Sequence, residues 1–145
     1  ALALSYPAQK KKQMDAVATY MPVGAADFIV ANGIRGNMFN SYQYGGYLIF
    51  RLYPAQQVFI YGKSVIYKDD PDDFIGIHDA ILQGRPNWKT LFDRYDIEYV
   101  VCESSAALRQ LLLQEGRFRL VYDDGNHSVL LKDIDRFRGL IARRG

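Results

Sequence analysis

Apolar positions along this chain recur in two rhythms, and each rhythm names an element. After Pro22, which suits a helix's first turn, Ala25, Ala26, Phe28, Ile29 and Val30 read as a helix that Asn32-Gly33 closes. Gly36 releases the chain into residues 37–41, a short first strand. Gly45-Gly46 opens the next element, where Tyr47, Leu48, Phe50 and Leu52 fit a short helix ending at Pro54. Gln57-Val58-Phe59-Ile60-Tyr61 reads as a second strand, ended by Gly62. Asp70-Pro71-Asp72-Asp73 carries the signature of a helix start, with Asp70 as the N-cap and Pro71 in the first turn. Phe74, Ile77, Ile81 and Leu82 continue it at helical spacing, and after Gly84-Arg85-Pro86 a second stretch carries Trp88, Leu91, Phe92 and Tyr95.

Ile97-Glu98-Tyr99-Val100-Val101-Cys102 predicts a third strand, its unbroken β-branched and aromatic run pointing to burial on both faces, as parallel strands require. Ser104 or Ser105 caps a helix carrying Leu108, Leu111 and Leu112, and Gly116 ends it. Residues 118–122 and 129–131 form two further strands around Asp123-Asp124-Gly125-Asn126, a hairpin, and a short basic helix finishes the chain. Strands alternating with helices predict an α/β fold: a mainly parallel sheet of about five strands, helices on both faces, and a C-terminal antiparallel hairpin. Residues 1–21 read as a linker or arm, and residues 22–145 as a single α/β domain.

Composition changes this picture in few places. The chain has 145 residues, ordinary for one domain, and its 49% hydrophobic content is that of a globular protein. Eleven tyrosines and eight phenylalanines supply large contact areas, the tyrosines with polar tips that want partners. A net charge of +2 is too small to argue for a nucleic-acid partner. Lys10, Lys11 and Lys12 near one end and Arg136, Arg138, Arg143 and Arg144 near the other read as solvated tails, with a membrane surface or anionic partner as the competing reading. Cys102 is the single cysteine, so no internal disulfide forms. No stretch approaches the roughly 18 continuous apolar residues of a membrane span. The chain opens at Ala1 rather than Met, and the expectation is a piece of a longer gene product.

In an open α/β sheet, ligands bind beyond the carboxyl ends of the strands. That rule points to the ends Asn40-Ser41, Tyr61-Gly62-Lys63 and Cys102-Glu103-Ser104, and of these surroundings Asn40, Ser41, Tyr44, Gly45 and Gly46 after the first strand and Tyr61, Gly62 and Lys63 after the second are the candidate ligand or partner edge. Residues 41–46 could present backbone N–H groups to an anion, although neither the dinucleotide nor the P-loop glycine spacing is present, and a structural turn is the commoner use. Asp69, Asp70, Asp72 and Asp73 could hold a divalent cation, but helix capping already explains them. His78 and His127 stand apart from each other and from Cys102, so no metal site is expected, and no cofactor. Cys102 reads as a packed thiol, and Ser104-Ser105 lacks the nucleophile-elbow glycines. Tyr42, Tyr44 and Tyr47 could stack on a sugar ring; packing between helix and sheet is their ordinary role. No residue set marks a self-sufficient enzyme.

The stretch Phe39-Asn40-Ser41-Tyr42-Gln43-Tyr44-Gly45-Gly46-Tyr47-Leu48-Ile49, then Leu52-Tyr53-Pro54 and Val58-Phe59-Ile60-Tyr61-Gly62-Lys63, resembles the soluble C-terminal domain of bacterial multi-span membrane proteins related to lipid-linked-sugar glycosyltransferases, of mannosyltransferase-like and oligosaccharyltransferase-like type. Trp88, Tyr95-Asp96-Ile97-Glu98-Tyr99-Val100-Val101 and Phe118-Arg119-Leu120-Val121-Tyr122-Asp123 extend the resemblance over about residues 22–132. It implies an extracytoplasmic, periplasmic domain following a membrane bundle that holds the sugar-transfer site, with the catalytic acids outside this chain. The implied partners are the membrane-embedded part of the same parent chain and a glycan or protein acceptor. Tyr61-Gly62-Lys63 departs from the acid-Gly-Arg triplet at that place in the family, and Lys10 to Lys12 would favour the cytoplasmic side if a span ended just before them. The functional expectation is a non-catalytic accessory domain that docks on the membrane part or positions an acceptor. The alternative is a free-standing α/β enzyme or nucleotide- or sugar-phosphate-binding protein using the strand-end crevice.

Overall fold

A computed structural model describes residues 5–61 and 73–144. Among these are seven α-helices and four strands: α1 (Tyr6–Tyr20), α2 (Val23–Ala31), β1 (Met38–Asn40), α3 (Gly45–Leu52), α4 (Phe74–Leu82), α5 (Trp88–Asp93), β2 (Tyr99–Glu103), α6 (Ala107–Glu115), β3 (Phe118–Asp123), β4 (His127–Lys132) and α7 (Asp135–Arg144). The strands form one sheet in the order β1-β2-β4-β3. Only β1 and β2 are parallel; β2–β4 and β3–β4 are antiparallel. The expectation of a mainly parallel, five-stranded sheet is therefore wrong on both counts.

Two physical reasons account for the difference. Tyr99, Val100, Val101 and Cys102 are fully buried because β2 is central, flanked by β1 and β4, and a central strand of either sense is covered on both faces. Within the hairpin, β4 is buried from His127 to Leu131 whereas β3 is exposed at Arg119 and Asp123. The uniformly apolar strand takes the centre and the alternating one the edge, which inserts β4 antiparallel beside β2. The second reason concerns residues 57–61, which are not a strand. They follow β1 in the same direction, but side chains span the gap. The Gln56 carboxamide donates to the Gly36 carbonyl at 2.7 Å and accepts from its N–H at 2.9 Å. Asn40 Oδ1 accepts from the N–H groups of Phe59 at 2.7 Å and Ile60 at 3.3 Å, while its Nδ2 donates to the Ile60 carbonyl at 3.0 Å. Two carboxamides thus stand where a backbone ladder was expected.

The core has two halves, one on each face of the sheet. Tyr99, Val101, Val129 and Leu131 pack with Ala25, Ile29, Leu48, Leu52, Phe137 and Leu140 from α2, α3 and α7. Val100, Cys102 and Leu130 pack with Ile81, Phe92, Leu108 and Leu112 from α4, α5 and α6. Alternate residues of each central strand feed opposite halves, as the pleat dictates. A register shift between Leu120 and Tyr122 lets Val121 and Tyr122 both join the first half.

Helix starts differ from expectation in three places. Residues 6–20, read as linker, are helical, and every side chain of α1 is exposed. Asp73 caps α4, its carboxylate accepting from the Gly76 N–H; Asp69, Asp70, Pro71 and Asp72 lie outside the described residues. At α6 the N-cap is Ala106, which makes no side-chain cap bond, because Ser104 Oγ is committed to Asp123 at 2.8 Å and Ser128 at 3.0 Å.

Candidate functional site

The carboxyl ends of β1 and β2 meet where sequence placed the contact edge, and their polar groups bind one another. Ser41 Oγ and Gln43 Nε2 both donate to the Glu103 carboxylate. The Ser41 N–H donates to the Val101 carbonyl at 3.0 Å. Asn40 is wholly buried, with its carboxamide spent on residues 59–60 and on the Ser41 carbonyl. Its own carbonyl accepts from His78 Nε2 at 2.9 Å, and the His78 ring stacks on Phe39 with centroids 5.0 Å apart. Burial drives the His78 pKa below its ordinary value, partly opposed by that backbone bond.

Tyr44 is fully buried and its hydroxyl donates to His127 Nδ1 at 2.6 Å. His127 Nε2 lies 3.2 Å from the Ala18 carbonyl. The neutral tautomer protonated at Nε2 satisfies both contacts, so this ring connects α1 to the sheet. Burial, then the nearby Glu103 charge, raises the Tyr44 pKa far above that of a free phenol. Gly45 is a spacing residue: a Cβ there would lie 2.1 Å from the Ile60 carbonyl oxygen. Gly46 faces open space, and Tyr61 is 38% exposed. Gly62 and Lys63 lie outside the described residues.

The other candidates are dispersed. Tyr42 is at the surface, Tyr44 is interior, and the Tyr47 hydroxyl accepts from Arg51 at 2.6 Å, so the three tyrosines form no common platform. Burial pushes the Cys102 thiol up to about 12, which keeps it protonated and unreactive at neutral pH. Among the described residues no three His, Cys, Asp or Glu side chains are grouped to hold a metal ion. No single helix among them is long and apolar enough to cross a membrane; α1 and α2 meet at a bend of 75°.

Two grooves lie beside residues 53–61. A groove of about 500 Å³ opens between the start of β1 and residues 54–59, lined by Asn37, Met38, Gln57, Phe59, Phe74 and Tyr95 among others. A second, of about 430 Å³, is bounded by Ile49, Tyr53, Val58 and Tyr61. Sequence reading missed the first groove because its residues are distant in the chain and because the strand-end rule points to the other end. A carboxamide at each end of the run, Asn40 and Gln56, was the only available sign that residues 57–60 stand off from the sheet. No protein-family model, curated protein or solved structure matches this chain.

Proposed function

We propose that this chain is a non-catalytic accessory domain of a larger, multi-span glycosyltransferase-like membrane protein, and that it docks on the membrane part through α1. The observation that carries the reading is the state of that helix. Fifteen residues long, α1 buries none of its side chains. Helices of this length are marginal in water, and most helical stability in proteins comes from a packed face. Here Tyr6, Met14, Val17 and Tyr20, between 50% and 76% exposed, fall within one third of the helix circumference by their spacing. A helix that exposes these four apolar side chains, with Gln13 and Lys10 on the same arc, and is held to its own domain by its last turn through Ala18, is suited to pack on something else.

The crevice supports the accessory role. Ser41, Gln43, Glu103, Asn40, His78, Tyr44 and His127 are the groups that chemistry at the strand ends would need, and each has a structural partner. Incubating the 145-residue chain with UDP-hexoses and GDP-mannose, with and without acceptor, checks this. No sugar transfer above the buffer rate is expected, and turnover by the chain alone would overturn the proposal. Docking is read from hydrogen exchange: α1 amides exchange freely in the separate chain and become protected in membranes carrying the parent. Equal protection in both states counts against α1 as the docking element.

A further inference from the structure

The larger groove has a chemistry of its own. Its floor is aromatic: Phe59 and Phe74 stack with centroids 4.8 Å apart, and Tyr95 stands edge-on to both, at 5.0 Å and 88° from Phe59 and at 6.0 Å and 81° from Phe74. Its rim is amide-rich. Asn37 Nδ2 is held by the Asp96 carbonyl at 3.1 Å, which leaves Oδ1 available. Among the described residues the exposed Gln57 carboxamide and the Tyr95 hydroxyl make no hydrogen bond. The β1 backbone adds to this. Asn37 and Ser41 turn their backbone groups toward β2, so by the alternation of a strand Met38 turns its N–H and carbonyl outward to the groove. Because the two carboxamide bridges, Gln56 to Gly36 and Asn40 to Ile60, hold residues 57–59 off the sheet, no ladder occupies these groups.

We infer that this groove binds a neutral saccharide ring. No charged side chain is among its described lining residues, and the guanidinium beside the lining residue Gly36, that of Arg136, is paired with Glu98, so the described residues offer a phosphate or carboxylate no free counter-charge. Neutral hydroxyls can pair with the Asn37, Gln57 and Tyr95 groups, each able to donate, accept or both. The ring geometry favours a saccharide over a nucleobase. A flat base wants a parallel slot or an open face, whereas Phe59 and Phe74 already cover each other and Tyr95 meets them at a right angle. A chair ring, with one face of C–H groups and a rim of hydroxyls, fits such an angled wall. The volume, within the ordinary range of small-molecule sites, suffices.

This inference gives the acceptor role of the proposed function a ligand class and a place. It rests on that reading only for its biological meaning, since binding is measurable on the chain alone. The experiment is a ¹⁵N–¹H correlation titration of the 145-residue chain with glucose, mannose and N-acetylglucosamine, and with adenosine as the flat-ring control. At least one sugar should shift the amides of Asn37, Met38, Gln57 and Tyr95 saturably. Tyr95→Phe, which keeps the ring, and Gln57→Ala, at an exposed position, should each weaken binding about five-fold, one lost hydrogen bond. The unshifted remainder of each variant's spectrum reports that it is folded. No shift with any sugar, shifts confined to residues 41–46, a preference for adenosine, or variants that bind as the parent does would each overturn the inference. None of these results bears on whether the chain belongs to a membrane protein.

Discussion

Replacing Asn40 tests the bridge that substitutes for a strand. The side chain is fully buried, as is Ile60, whose N–H and carbonyl have no other partner among the described residues. Asn40→Ala leaves both groups of Ile60 unsatisfied, at about 1–3 kcal/mol each, and removes the 2.7 Å bond to the Phe59 N–H, worth about 1 kcal/mol. The expected loss is therefore about 3–7 kcal/mol, a large part of a domain's total stability. Asn40→Asp separates the two halves of the bridge. It keeps the acceptor for Phe59 but sets a carboxylate oxygen against the carbonyls of Ile60 and Ser41, where an N–H donor stood. At pH 7 it should be at least as damaging as alanine. Protonation restores one O–H donor, so its deficit relative to alanine should shrink as the pH falls. The assay is urea unfolding followed by circular dichroism, with the Ile60 amide followed by hydrogen exchange. A loss below about 1 kcal/mol in Asn40→Ala, or an Asn40→Asp variant as stable as the parent at pH 7, would refute the bridge.

Four further outcomes follow from the structure. Gly45→Ala should destabilise by about 1–3 kcal/mol, because the new methyl meets the Ile60 carbonyl, whereas Gly46→Ala, in open space on the same helix, should stabilise by about 0.5–1 kcal/mol; equal effects in thermal melts would contradict the close approach. Tyr99→Phe should be neutral or stabilising by about 1 kcal/mol, since the buried Tyr99 hydroxyl has no hydrogen-bond partner among the described residues, and a clear loss in urea unfolding would reveal a partner for it. Because burial lowers the His78 pKa in the folded state, the unfolded chain binds the extra proton first, so stability should fall as pH drops below the ordinary histidine value of about 6.5. His78→Gln, which keeps a donor for the Asn40 carbonyl, should flatten the stability profile between pH 7 and 5, and an unchanged slope there would remove His78 as its source. A separate acid limb belongs to Asp123 and Asp124, in which burial is outweighed by bonds from Gly125 and from His127 respectively, leaving both pKa values lowered. Their contribution is present above the unfolded carboxylate value of about 3.9 and is lost as pH falls through the lower folded values.

Local grammar carried much of the fold into the sequence. Asn32-Gly33 and Gly116 stand at the ends of α2 and α6, Gly116 at φ 90° as a left-handed cap, and Gly125 sits in the β3–β4 turn at φ 89°. What failed was partner choice, which is not local. Val58-Phe59-Ile60-Tyr61 has strand composition, yet its backbone is captured by the side chain of Asn40, twenty residues away from Ile60. The apolar run of β2 reported burial on two faces correctly, but burial does not distinguish a parallel neighbour from an antiparallel one. The lysines that made residues 6–20 look like a linker are compatible with an exposed helix, and nothing in their pattern separates the two. At the candidate edge, the strand-end rule picked out Asn40, Ser41 and Tyr44 as neighbours in the chain, without their partners. Only geometry revealed that Glu103, His78 and His127 use up their hydrogen-bonding capacity. The groove at the other end depends on three segments converging, and no single one of them carries a motif.

The central claim, that this domain serves a membrane-embedded parent, is tested most directly by tagging the native gene at its C-terminal end and fractionating the cells. The account predicts a tagged band much heavier than 16.6 kDa, resisting alkaline extraction in the membrane fraction. A soluble band near 16.6 kDa would contradict it.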